Sequence, residues 1–117
     1  MPEVHLRPHA EKDLRRIGPG PERKRILAGL ARLADHEPTL DVKVIVGATG
    51  WRRLRIGTYR VCYRSATTTT ASGELAAAYV VERIVHRRDF DAAAAHLPAC
   101  EENRPQPTYA ALSRVTR

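Results

Sequence analysis

The chain has 117 residues, of which 28% are charged, and its formal net charge at pH 7 is +7. This length accommodates one domain with its own hydrophobic core and leaves no room for a second. Lys and Arg outnumber Asp and Glu by 20 to 13. The excess of positive charge indicates a polyanion or an acidic protein as the partner.

The sequence predicts a cytoplasmic protein that needs no cofactor. No apolar segment follows Met1 as in a signal peptide, and the longest apolar stretch, residues 75–81, is too short to cross a bilayer. The two cysteines lie in different contexts and do not indicate a disulfide framework. The histidines are scattered singly, without the spacing of metal ligands. We therefore expect no metal, no cofactor and no membrane association.

Periodicity predicts a short strand and two helices at the start of the chain. Val4 and Leu6 alternate with polar residues, as they would in a strand. Residues 9–17 have the apolar stripe of a short helix, and a Gly-Pro-Gly-Pro break separates this helix from another over residues 21–35. The two helices are expected to form an αα-hairpin. The polar residues expected on the outer face of the first helix are Lys12, Asp13, Arg15 and Arg16.

An arginine-rich strand pair is the most informative part of the chain. Residues 51–64 read WRRLRIGTYRVCYR, in which aromatic and β-branched residues flank a Gly-Thr turn. On a period of two, Leu54 and Ile56 share the face that can pack inward. The opposite face presents guanidinium groups, which bind phosphates in bidentate pairs. That second face is predicted to carry Trp51, Arg53 and Arg55.

The remainder of the domain is predicted to add a strand and a short helix. A third strand over residues 74–85 fits the β-branched residues better than the helix that its alanines would also permit, and a helix is expected over residues 89–97. Residues 42–46 form either a short extended run or an irregular approach to the strand pair. The composition changes at Pro98, which predicts a domain over residues 1–97 and a linker or docking tail over residues 98–117.

Three stretches together resemble the RelE/ParE superfamily of bacterial type II toxin–antitoxin toxins. They read LRPHAEKDLRRI, WRRLRIGTYRVCYR and IVHRRDF, and the resemblance covers roughly residues 3 to 97. It implies an α+β fold with a small, mostly antiparallel sheet of three or four strands, the αα-hairpin on one face and a short C-terminal helix. It also implies a cognate antitoxin protein as partner and a toxin–antitoxin hetero-oligomer.

The resemblance leaves the target of the toxin open. RelE-like members cleave mRNA at the ribosome, whereas ParE-like members inhibit DNA gyrase without cutting nucleic acid. A third alternative is a binding module of the same fold that is catalytically silent. We favour the RelE-like alternative, an endoribonuclease without a metal cofactor that acts on ribosome-bound mRNA, because the arginines of the strand pair are clustered.

The resemblance also suggests site residues. It places a basic pair at Arg53 and Arg55, a further arginine at Arg60, and His86 as a group that titrates near neutral pH. Arginine is a poor proton acceptor where family nucleases have lysine, and Asp91 stands where they have tyrosine. Both departures favour the gyrase alternative. The further candidates for RNA binding are Trp51, as a base-stacking ring, with Arg52, Arg87 and Arg88.

Overall fold

The computed structural model describes residues 3–35 and 39–98. Its last described residue is Pro98, so the predicted tail over residues 98–117 lies almost wholly outside the described residues, and the domain boundary stays a prediction. None of the described helices has the length and apolar composition that would let it cross a membrane. The elements in chain order are β1 (Glu3–Leu6), α1 (Pro8–Ile17), α2 (Pro21–Ala34), β2 (Val42–Val44), β3 (Trp51–Ile56), β4 (Tyr59–Thr69), β5 (Leu75–His86), a 3-10 turn (Arg87–Asp89) and α3 (Phe90–Ala94).

The strands form one mixed sheet in the order β1-β5-β4-β3-β2. β1 runs parallel to β5, and every other neighbouring pair is antiparallel. The predicted fold class is therefore confirmed: the protein is α+β, with a mostly antiparallel sheet and a short C-terminal helix. The sheet has five strands rather than the expected three or four, because both β1 and the short β2 pair with it.

The main core lies between the αα-hairpin and one face of the sheet, which we call the helix face. Apolar residues at helical spacing in α1 and α2 meet alternate residues of the strands, as their periodicities require. The hairpin approaches β3 closely at Gly29, where an added Cβ would lie 2.5 Å from Ile56 Cδ1. The buried residues of this core include Val4, Leu6, Leu14, Ile26, Leu30, Leu54, Ile56, Val61, Tyr63, Val81 and Ile84.

The other face of the sheet, which we call the open face, is covered at one end only. There Trp51, Ile45 and Cys62 form a second buried cluster against Phe90 and other residues of the α3 region. Trp51 is 1% exposed, and its indole N–H donates to the carbonyl of Pro98 at 2.8 Å. The segment after the C-terminal helix therefore anchors to the start of β3, and the Trp51 ring is covered at this end of the open face.

Asp13 was expected on the outer face of the first helix, and that prediction is wrong. Its carboxylate is 5% exposed and accepts hydrogen bonds from Arg83 Nε and from the backbone N–H of Ile84, both at 2.9 Å. At Ile84, β5 has already passed the end of β1, whose pairing stops at Val81. Asp13 therefore takes the place of a neighbouring strand at this edge, satisfying a backbone donor that would otherwise be buried without a partner.

Cys62 lies in the second buried cluster and should be unreactive in the folded protein. Burial raises the pKa of its thiol to about 12, so at pH 8 only about one molecule in 10,000 carries the reactive thiolate. We expect iodoacetamide at pH 8 to leave Cys62 unlabelled in the native chain and to label it in urea, as measured by peptide mass spectrometry. Rapid labelling of Cys62 without denaturant would contradict the packing around Trp51.

Candidate nucleic-acid interface

Four arginines converge beyond the covered end of the open face. Arg55 lies directly across the β3–β4 pair from Arg60, and Arg53 lies on the same face as both, two residues along β3. Arg87 joins them because its backbone N–H donates to the carbonyl of Thr58 at 2.7 Å, which fixes the 3-10 turn to the β3–β4 turn. We call Arg53, Arg55, Arg60 and Arg87 the arginine cluster.

Arg60 lies at the centre of the arginine cluster. Burial lowers the pKa of its guanidinium, and the positive charges of Arg55, Arg53 and Arg87 lower that pKa further. One guanidinium nitrogen donates to the carbonyls of Gly57 and Tyr59, both at 3.0 Å, so the side chain folds back over the turn. This turn is tight at Gly57, whose φ of 59° favours glycine. Mutual repulsion among the guanidinium groups would be relieved by a bound anion.

Asp41 partly neutralises the arginine cluster, a role that no pattern in the sequence indicated. Its carboxylate pairs with Arg53 at 3.0 Å and with Arg55 at 3.8 Å. The backbone holds it in place, because the N–H of Arg55 donates to the carbonyl of Asp41 at 3.0 Å. The Arg53 side chain is 13% exposed and that of Arg55 is 54% exposed, so Arg55 is the member of this ion-paired group that is more accessible to a ligand.

Two of the predicted RNA-binding residues lie elsewhere. The prediction that Trp51 stacks on a base is wrong for this structure, because its ring is buried beneath the α3 region. Arg52 is exposed but alternates with Arg53 along β3, so it lies on the helix face opposite Tyr63. Arg52 contacts the Tyr63 hydroxyl. Burial raises the pKa of that phenol, and the positive charge of Arg52 offsets part of the rise.

His86 and Arg88 also lie apart from the arginine cluster. The β4–β5 register pairs His86 with Tyr59 and Arg60 with Val85, so His86 and Arg60 are on opposite faces of the sheet. His86 Nδ1 accepts a hydrogen bond from the backbone N–H of Arg88 at 3.2 Å, and its ring meets Tyr59 edge-on at 5.7 Å. The expected grouping of His86 with Arg53, Arg55 and Arg60 is therefore not found. Arg88 lines a groove with Tyr59 and His86 beside α1.

A solvent-open groove of about 800 Å³ adjoins Arg53. One wall is the segment between β2 and β3, where Val46 is 97% exposed, and the other wall is α3 with Phe90. Apolar and small residues line both sides of the groove, together with the charged residues Lys43, Arg53 and Asp91. A chain bound to the arginine cluster would therefore find apolar surface next to its charged contacts.

The arginine cluster has the chemistry of a phosphate clamp. Guanidinium groups keep their charge at neutral pH, bind phosphate oxygens bidentately and can stabilise the additional charge of a phosphorane. Proton transfer needs groups other than guanidinium. Among residues 3–35 and 39–98, the acidic partner of the arginine cluster is Asp41, and its carboxylate is already ion-paired. Within the same residues, no three His, Cys, Asp or Glu side chains are grouped to bind a metal.

Fold and surface together define a small basic α+β protein with an arginine-rich sheet face. The chain is similar in structure to a chain of the RelB-RelE antitoxin-toxin complex from Methanococcus jannaschii, with a TM-score of 0.54 and 24% sequence identity. The match covers 77% of this chain and 98% of that one, so the two share a fold over nearly the whole of the smaller chain. No protein-family model and no curated protein matches the sequence.

Proposed function

We propose that this protein is the toxin of a type II toxin–antitoxin system and that it inhibits translation by ribosome-dependent cleavage of mRNA. The observation that carries the proposal is the arginine cluster, in which Arg53, Arg55 and Arg60 share one sheet face and Arg87 joins them from the adjoining 3-10 turn. The fold supports it, because the similar solved chain comes from an antitoxin-toxin complex. A cognate antitoxin would neutralise the toxin, and an acidic segment of that antitoxin is the natural partner for a chain of net charge +7.

In the proposed reaction the arginines bind and polarise the scissile phosphate. Arg55 and Arg60 lie opposite each other, so both can reach oxygens of one phosphate, while Arg53 and Arg87 extend the positive surface on either side. The repulsion that lowers the pKa of Arg60 in the free protein is exchanged for attraction to the phosphate when RNA binds. Stabilisation of the phosphorane charge is then the main catalytic contribution of this chain.

Gyrase inhibition is the second candidate, and one observation favours it. His86, the residue expected to transfer protons, lies on the sheet face opposite Arg60. Among the described residues, the acidic neighbour of the arginine cluster is Asp41, which is already ion-paired. Such a cluster is better suited to binding than to acid–base catalysis. On this alternative the same face would bind an acidic protein surface or DNA, and translation would continue.

Expression in a bacterial host separates these functions. We expect induction to stop incorporation of labelled methionine before that of labelled thymidine, and Arg60→Ala to restore methionine incorporation at least about tenfold. Arg52→Ala is the matched control, because it removes an exposed arginine from the same strand pair but from the helix face. It should be as toxic as the parent chain.

Other outcomes redirect the assignment. Early loss of thymidine incorporation with translation intact would support gyrase inhibition instead. If both labels continue to be incorporated while soluble protein accumulates, the chain is a catalytically silent binding module. Equal rescue by Arg60→Ala and Arg52→Ala would remove the arginine cluster from the mechanism.

Binding of single-stranded RNA tests the phosphate clamp directly. Three or four phosphate contacts predict that log K falls with log salt concentration with a slope of about −2 to −3. Arg55→Gln should make that slope shallower by about 0.7, since it removes one accessible contact, and Arg52→Gln should leave it unchanged. An affinity that barely changes between low and physiological salt would contradict phosphate recognition.

A further inference from the structure

The β4–β5 hairpin extends well beyond the rest of the sheet. Pairing of β3 with β4 ends at Arg64, and pairing of β1 with β5 begins at Ala78. Residues 65–77 therefore form a two-stranded ribbon, and within the described part of the chain no third strand lies on either edge of it. We call this segment the ribbon. An open strand edge carries unpaired backbone groups, which makes it a template for another strand.

Charge distinguishes the ribbon from the rest of the surface. Between Arg64 and Glu82 the sequence contains a single charged residue, Glu74, although 28% of the whole chain is charged. Natural edge strands are usually protected by lysine, proline or inward-pointing charges, and the β4 edge of the ribbon has none of these. It consists instead of Ser65, Ala66, Thr67, Thr68 and Thr69.

The register identifies the backbone groups that face outward. The N–H of Thr70 donates to the carbonyl of Glu74 at 2.7 Å, so this pair faces inward between the two strands. Hydrogen-bonded and non-hydrogen-bonded pairs alternate along an antiparallel ladder. The backbone groups of Ser65, Thr67 and Thr69 therefore point away from β5 and toward solvent.

We propose that a second copy of this chain pairs with the β4 edge of the ribbon, antiparallel and centred on Thr67, so that the two ribbons form one four-stranded sheet. The pairing is symmetric: Thr67 lies opposite Thr67 of the partner subunit, and Ser65 lies opposite the partner subunit's Thr69. Such an isologous contact closes on itself and gives a dimer rather than a fibre. Threonine favours strands, and opposed threonines stabilise antiparallel pairs.

Electrostatics select this edge and this partner. Two copies of a +7 chain repel each other over most of their surfaces, and the ribbon is a region where they can meet without opposing arginines. The β5 edge of the ribbon is less suitable, because Glu74 lies at one end of it and Glu3, which pairs with Ala78, lies at the other. Residues 65–69 of the β4 edge are all uncharged.

Sedimentation equilibrium of the full chain tests the dimer. A five-residue edge is smaller than a standard interface, so we expect a dissociation constant of about 10–100 µM. Raising the salt concentration should tighten the dimer by screening like charges, whereas a dimer bridged by nucleic acid would dissociate. A chain that stays monomeric up to about 500 µM, or a dimer that salt dissociates, would overturn the proposal.

Two proline variants assign the contact to one edge. Thr67→Pro removes an outward N–H, which an edge strand tolerates, and should weaken dimerisation at least tenfold while leaving the circular dichroism spectrum unchanged. Ala77 lies across the ladder from Thr67 and also directs its N–H outward, so Ala77→Pro is the matched control and should dimerise like the parent. Dimerisation unaffected by Thr67→Pro, or abolished by Ala77→Pro, would overturn the proposal.

Cysteine cross-linking gives a second test that does not depend on proline. In the proposed register the two Thr67 Cα atoms lie about 5.5 Å apart, within the range that a disulfide spans. In a Cys100→Ser background, Thr67→Cys should therefore form a covalent dimer under mild oxidation, and Leu75→Cys, exposed on the other edge, should not. Equal cross-linking of the two variants would contradict the assigned edge.

Discussion

Replacing Trp51 with alanine should lower the free energy of unfolding by about 3–5 kcal/mol, because it empties the centre of the second buried cluster. The indole is 1% exposed and packs with Ile45, Cys62 and Phe90. Its N–H also donates to the carbonyl of Pro98, so the substitution removes the link between β3 and the segment after α3. Urea denaturation followed by circular dichroism measures the loss, which is a large fraction of the stability of a small domain.

Trp51→Phe is the matched control for the role of this ring. It retains most of the apolar contact and loses the hydrogen bond, so we expect a cost of about 1–2 kcal/mol. RNA affinity per folded molecule should be unchanged in both variants, since the ring does not reach the surface. If Trp51→Ala kept the parent urea midpoint but lost RNA binding, the ring would be a base-stacking residue after all.

Asp13→Ala should destabilise the protein by about 2–4 kcal/mol. The substitution leaves the backbone N–H of Ile84 buried without its acceptor and removes both hydrogen bonds from Arg83, at 2.9 and 3.3 Å. The Arg83 side chain is 27% exposed and can regain some hydration, which places the expected cost below that of breaking a fully buried pair. Chemical denaturation gives the value directly.

A double-mutant cycle separates the ion pair from the backbone contact. Arg83→Ala alone should cost less than Asp13→Ala, because Asp13 would keep its hydrogen bond from Ile84. The double variant should cost less than the sum of the single variants, with a coupling of about 1–3 kcal/mol. Strictly additive losses would show that the Asp13–Arg83 pair contributes nothing to stability.

Local patterns in the sequence were sufficient to predict the fold and part of the candidate site. The period of two in β3 placed Leu54 and Ile56 in the core and separated Arg53 and Arg55 from them, as the structure confirms. The same period predicted that Trp51 shares a sheet face with Arg53 and Arg55, and the structure places all three on the open face. It could not show that α3 covers only one end of that face, because periodicity contains no information about which distant element packs there.

Contacts between distant residues account for the remaining differences. Asp13 and Arg83 are 70 positions apart, and a helical period alone placed Asp13 on the solvent side. Asp41 precedes the arginine-rich strands in a segment without regular pattern, so its pairing with Arg53 depends on how β2 approaches β3. His86 lies in the expected motif, but strand register moves it to the face opposite Arg60.

The parallel pairing of β1 with β5 has a consequence for the order in which the chain folds. Residues 3–6 pair with residues 78–81, so β1 finds its neighbour only after β5 has left the ribosome. β3, β4 and β5 are joined by short turns and can assemble first. Until β5 arrives, the N-terminal helices have no complete sheet to cover, and the arginines of β3 and β4 are not yet joined by Arg87. The newly made chain is therefore expected to acquire its complete basic surface only after β5 and the 3-10 turn have left the ribosome.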